Sequence, residues 1–119
     1  EETVRNGMVD LLEDAVKFAL ENHDESHQSH IKIGDTYGWM LVHNHRVEKI
    51  SVVSTADNRG KATKMLRSKL IKLPAEGWVG VVMAGMEPAN YFMISYEKDI
   101  INNTIQMTKQ MFTSYFTKI

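Results

Sequence analysis

The sequence contains no cysteine, which removes disulfide frameworks, thiolate zinc sites, redox pairs and cysteine nucleophiles together. A reducing compartment is compatible with that absence. Long apolar runs are also missing. The longest, Trp78 to Met86, is far short of the ~20 residues a helix needs to cross a bilayer, so no membrane partner is expected. The residues from Glu1 onward do not read as a basic-then-apolar leader. No Gly-x-Ser-x-Gly elbow, phosphate loop or dinucleotide fingerprint is present, nor is there an internal repeat, a linker or a low-complexity tract. Proline occurs only twice, at Pro74 and Pro88, and both positions read as breaks between elements.

What is present describes one folded domain spanning residues 1–119. A chain of 119 residues buries roughly two thirds of its unfolded surface. Its 43% hydrophobic and 24% charged residues are ordinary for a globular protein rather than a disordered one. Net charge is only −1, but residues 1–30 carry eight acids and two bases, and residues 45–73 carry eight bases and two acids. Such blocks arise as solvated faces or as complementary surfaces that steer partners together.

Hydrophobic periodicity predicts the elements. From Glu2 to Glu21, Val4, Met8, Leu11, Leu12, Ala15, Phe18 and Ala19 share one helical face, with Asp10, Glu13, Asp14 and Glu21 opposite. Tyr37–Val42 and Val47–Thr55 read as a hairpin turning through His43-Asn44-His45-Arg46. Ala56 to Gly60 reads as a loop. A second helix follows, with Ala62, Met65, Leu66, Leu70 and Leu73 inward, Lys61, Lys64, Arg67 and Lys72 outward, and Pro74 as its stop. Trp78–Ala84 is apolar at nearly every position, as a strand buried on both faces would be, and Asn90–Ser95 reads as its neighbour across a Met86-Glu87-Pro88 corner. The stretch Glu97–Lys118 reads as a long helix with Ile101, Ile105, Thr108, Phe112, Tyr115 and Ile119 on one stripe. The order α-β-β-α-β-β-α predicts an α+β fold: an antiparallel sheet of about four strands, packed by an N-terminal, a middle and a long C-terminal helix.

Several residue groups invite chemistry. His23, His27 and His30 fall on one face if the first helix extends, near a spacing a divalent metal uses; the alternative is a hydrophilic helix end. His43-Asn44-His45 matches three letters of a nuclease signature but reads as a hairpin tip. Glu87, Glu97 and Asp99 are candidate paired carboxylates, or acids complementing a helix start. Met83, Met86, Met93, Met107 and Met111 suit either an adaptable binding surface or core filling, and Trp39 and Trp78 read as core.

The stretch Gly77-Trp78-Val79-Gly80-Val81-Val82-Met83-Ala84-Gly85-Met86-Glu87, then Ala89-Asn90-Tyr91-Phe92, then Tyr96-Glu97-Lys98-Asp99-Ile100-Ile101, resembles the bacteriophage tail-component family named after a gene-ten product of a lambdoid phage, found in phages and prophages of gut bacteria. Upstream, Gly38-Trp39-Met40-Leu41-Val42-His43-Asn44-His45-Arg46-Val47-Glu48 is similar to the family's Gly-aromatic hairpin. The family's Thr-Gly-x-Leu-Arg before that hairpin is not recognisable in Ser29 to Thr36, and Pro88 and Asn90 depart from the commoner residues at the corner.

The resemblance implies a structural virion protein, a neck or tail-completion ring subunit used in head–tail joining or tail assembly. The expected partners are further copies of itself and neighbouring connector or tail proteins, with transient contact to DNA in the lumen. The expected location is the virion, and the host cytoplasm during assembly. No enzymatic activity, cofactor or metal is expected. Lys61, Lys64, Arg67 and Lys72, facing Asp10, Glu13 and Asp14 of another copy, are the expected subunit or DNA contacts, and Gly85 and Pro88 are an expected structural corner. Two rival readings are a metal-dependent enzyme using His23, His27 and His30, and a small nucleic-acid-binding regulatory module using the basic 59–72 segment.

Overall fold

Twenty residues with apolar positions at helical spacing form helix α1 (Glu2–Glu21), which buries Met8, Leu11, Leu12, Ala15 and Val16. Asp10, Glu13, Asp14 and Glu21 stay exposed, as expected. The computed structural model describes residues 2–22, 37–53, 56–84, 91–103 and 106–119, without the side chains of residues 56–58. His23, His27 and His30, and the Gly85–Pro88 corner, lie outside the described residues.

Strands β1 (Tyr37–His43) and β2 (Arg46–Val53) form the expected antiparallel hairpin. The turn is two residues long, and Asn44 and His45 both take positive φ, 51° and 65°. That left-handed pair matches the twist of the flanking strands. Asn44 also ties the turn to the residue preceding the third strand: its backbone N–H donates to the Gly77 carbonyl (3.0 Å), and its Oδ1 accepts from the Gly77 N–H (2.9 Å). Gly77 itself sits at φ +89°, a conformation other residues rarely adopt.

His45 has no such compensation beyond a 3.4 Å contact between its Nδ1 and the Pro74 carbonyl. A non-glycine residue in this conformation costs roughly 1–2 kcal/mol. His45→Gly is therefore expected to stabilise the protein by up to about 1 kcal/mol after the unfolded-state entropy of glycine is subtracted. Thermal melting measures this, and a lowered midpoint would show that the Pro74 contact outweighs the strain.

The segment expected to be a loop at Ala56–Gly60 is instead the start of helix α2 (Ala56–Arg67). Asp and Asn favour turns, but acidic and capping residue types also suit a first helical turn, so the composition alone did not separate the two. The helix tightens into a 3₁₀ turn over Ser68–Lys72, and Leu73 is extended (φ −91°, ψ 156°), the conformation imposed on a residue before proline.

Strand β3 (Trp78–Ala84) is buried at every position but the last. It is the middle strand of a five-stranded antiparallel sheet ordered β2-β1-β3-β4-β5, with β4 at Tyr91–Ser95 and β5 at Thr117–Lys118. The fold is α+β as expected, but with five strands rather than about four.

The long C-terminal helix is corrected to two short helices, α3 (Lys98–Asn102) and α4 (Lys109–Tyr115), followed by β5. Asn103 is extended, and the Thr108 hydroxyl accepts from the Met111 N–H at 3.2 Å, so a new helix starts there. After Phe116 the chain is extended and pairs with β4 through Phe92↔Lys118 and Met93↔Thr117. That ladder gives the outer edge of β4 backbone partners a continuous helix would have withheld. The expected stripe changes accordingly: Ile100, Met107 and Phe116 are buried, and Thr108 is an exposed cap.

Alternation along the strands divides the core in two. One face carries Trp39, Leu41, Trp78, Val82 and Ile94 under α1, α3 and α4; the other carries Met40, Val42, Val79, Val81 and Met83 under α2. Three glycines permit close approaches in these layers, Gly7 against Ile101 Cγ2 and two in the sheet. A Cβ on Gly38 would lie 2.7 Å from the Ser51 carbonyl oxygen, and one on Gly80 would lie 2.6 Å from Leu12 Cδ2.

Candidate functional site

The sheet separates the two charged faces. Helix α2 is anchored by buried Ala62 and Leu66, which turns Lys61, Lys64 and Arg67 to solvent, and Lys72 in the 3₁₀ turn is exposed as well. Lys69, from the same basic segment, is only half exposed; its Nζ lies 4.4 Å from the centre of the Tyr91 ring, a cation–π contact that places its stem over the core. Asp10, Glu13 and Asp14 project from α1 on the other side of the sheet. Within one molecule the acidic and basic residues are therefore not brought together. Arg5 and Lys17 interrupt the acidic face; Arg5 Nε lies 3.9 Å from Glu48 Oε1, an exposed pair worth little to stability.

The other expected chemistry is dispersed. His43 belongs to β1 and stacks on Trp78, ring centres 4.0 Å apart and planes 7° apart, while Asn44 and His45 make the turn. The triplet is thus a hairpin feature. Glu97 precedes α3 and Asp99 lies in its first turn; both are exposed, as acids at a helix start usually are, and Glu87 lies outside the described residues. Met83 and Met107 are buried and Met93 and Met111 partly so, in keeping with core filling. Trp39 is buried. So is Trp78, whose indole N–H finds no partner among the described residues. Also among the described residues, no three His, Asp or Glu side chains converge on a metal-sized site.

One concave feature was not foreseen. A cavity of about 600 Å³ opens on the α1 face of the sheet. Its aromatic wall comes from Phe18 of α1, Tyr37 of β1, Phe92 of β4, and Phe112 and Phe116 around α4. Phe112 is the hub: its ring centre lies 5.8 Å from Phe18, 4.9 Å from Phe92 in an edge-on pair, and 4.9 Å from Phe116, all within the range of favourable ring contacts. Phe18, Phe92 and Phe112 remain partly exposed. Lys109 and Lys118 also line the cavity, together with Asn22 and Thr113. Burial raises the Tyr37 phenol above its ordinary pKa, and does the same for Tyr91 on the opposite face. The aromatic residues were visible in the sequence, and periodicity puts Phe18 and Phe112 each on an apolar helical face, but no spacing rule gathers four separate segments.

Compared with family models, curated proteins and solved structures, the chain matches none.

Proposed function

We propose that this protein is a structural assembly subunit, a ring-forming component of a phage or prophage neck or tail that acts in tail completion or head–tail joining. The observation that carries the reading is the placement of exposed acidic residues on α1 and exposed basic residues on α2, in opposite outer layers of the sheet. A surface cannot meet its own complement within one molecule when the two point apart. Successive copies can meet head to tail, α1 of one against α2 of the next, which is the heterologous contact a ring requires. The likeness of the Gly77–Ile101 stretch to phage tail-component proteins supplies the biological setting.

Charge swapping tests the contact. Lys61→Glu, Lys64→Glu and Arg67→Glu together leave both outer faces acidic, and Asp10→Lys, Glu13→Lys and Asp14→Lys together leave both basic. Cross-linking at low salt is expected to show self-association of the parent, and each triple variant alone is expected to lose it. An equimolar mixture is expected to recover it, because acidic and basic copies then alternate. A closed ring gives one discrete mass. In particles, reversing the three α2 residues is expected to leave unjoined heads and tails by electron microscopy. Fully infectious, normally assembled particles would remove the basic face from the mechanism, and steeply salt-dependent binding of duplex DNA to the parent protein would instead favour the nucleic-acid reading.

A further inference from the structure

None of the charged residues assigned to the head-to-tail contact lines the aromatic cavity. Its volume lies within the range of small-molecule sites, which pair apolar walls with a few placed polar groups. Phe18, Phe92 and Phe112 stay partly exposed within it, although burying a phenylalanine side chain fully is worth about 1.5–3 kcal/mol. Among the described residues, the charged groups at the wall are of one sign. Lys109 and Lys118 line the cavity, and no aspartate or glutamate does among the described residues. Neither lysine has a carboxylate within ion-pair distance among those residues.

We propose that this cavity binds a small aromatic carboxylate, its ring against Phe18, Phe92 and Phe112 and its carboxylate paired with Lys109 and Lys118. Phe112 lies within 27° of parallel to Phe18 and within 20° of parallel to Phe116, with Phe92 edge-on at 74°, so the rings pack on one another into a continuous aromatic wall, and the parts of Phe18, Phe92 and Phe112 left exposed are what a ligand ring would cover. Two ammonium groups select an anion over a neutral or cationic analogue of the same shape. A proton need not move and no bond forms; the assignment is one of binding.

The test uses 2-naphthoate, with 2-naphthalenemethanol, 2-naphthylmethylamine and dodecanoate as comparisons, titrated by calorimetry into the full chain. Saturable binding of the naphthoate at one site is expected, with Kd on the order of 10–100 µM. The alcohol is expected to bind about tenfold or more weakly, and the amine not measurably. Lys109→Gln with Lys118→Gln, two exposed positions that leave the core untouched, is expected to erase the preference for naphthoate over the alcohol. Phe112→Leu, which keeps an apolar side chain in place, is expected to weaken both aromatic ligands. No saturable naphthoate binding up to about 1 mM, equal binding of naphthoate and alcohol, or a preference unchanged in the lysine variant would overturn the proposal. Tighter binding of dodecanoate than of naphthoate would overturn the aromatic assignment.

Discussion

Gly38→Ala is expected to destabilise the protein by about 3 kcal/mol, close to the upper end of overpacking costs. The added methyl would stand 2.7 Å from the Ser51 carbonyl oxygen and 3.1 Å from Val52 Cα, and both are backbone atoms of the paired strand. A side chain in that position could rotate away; a strand in register cannot. Gly38 also pairs with Met83 on its other side, so β1 cannot retreat without disturbing the central strand. Relief comes from β2, the edge strand, moving outward over Ile50–Val53. Faster amide exchange across those residues should accompany a melting temperature lowered by roughly 10 °C. A midpoint within about 1 °C of the parent would mean that the strands are not in such close contact.

The second large effect involves the same kind of contact with a neighbour able to move. A methyl on Gly80 would lie 2.6 and 2.9 Å from the two δ-carbons of Leu12, a side chain with no exposed surface. Leu12→Ala alone is expected to cost about 3 kcal/mol through lost burial and the cavity it leaves. Gly80→Ala alone is expected to cost about 1–2 kcal/mol by crowding Leu12. In the double variant the new methyl enters the space the leucine vacates, so the total should fall short of the sum by about 1 kcal/mol or more. Chemical denaturation of the four proteins gives this coupling directly. Strict additivity would mean that α1 does not bear on β3 through this pair.

Local pattern was sufficient for much of this architecture. The face of α1, the hairpin and the doubly buried β3 each follow from a period that one segment displays by itself. The C-terminal segment shows where period fails. Ile101, Phe112 and Tyr115 fit a helical stripe, yet the Asn102-Asn103 pair and the capping Thr108 interrupt it, and the open edge of β4 recruits Thr117 and Lys118. That demand belongs to the sheet and is invisible in a window of neighbouring residues. The same distinction holds for the candidate surfaces. Exposure of Lys61, Lys64 and Arg67 was legible from helix amphipathicity, whereas their placement opposite Asp10, Glu13 and Asp14 depends on which sheet face each helix covers. The aromatic cavity depends on more still, because its wall draws on residues from Phe18 to Phe116.

The Asn44–Gly77 hydrogen bonds close the end of the seam between β1 and β3, and this bears on the order of folding. The β1–β2 and β3–β4 pairs join strands that are neighbours in sequence. The β1–β3 seam joins residues on either side of α2, from His43↔Trp78 at one end to Tyr37↔Ala84 at the other. Forming it carries a loop-closure cost on the order of 3 kcal/mol, which rises with the length enclosed. The His43↔Trp78 end encloses the shortest loop, and there the ring stack and both Asn44 bonds are found. Entropy therefore favours zipping from that end, with the hairpin tip as the first long-range contact and the Tyr37↔Ala84 pair as the last.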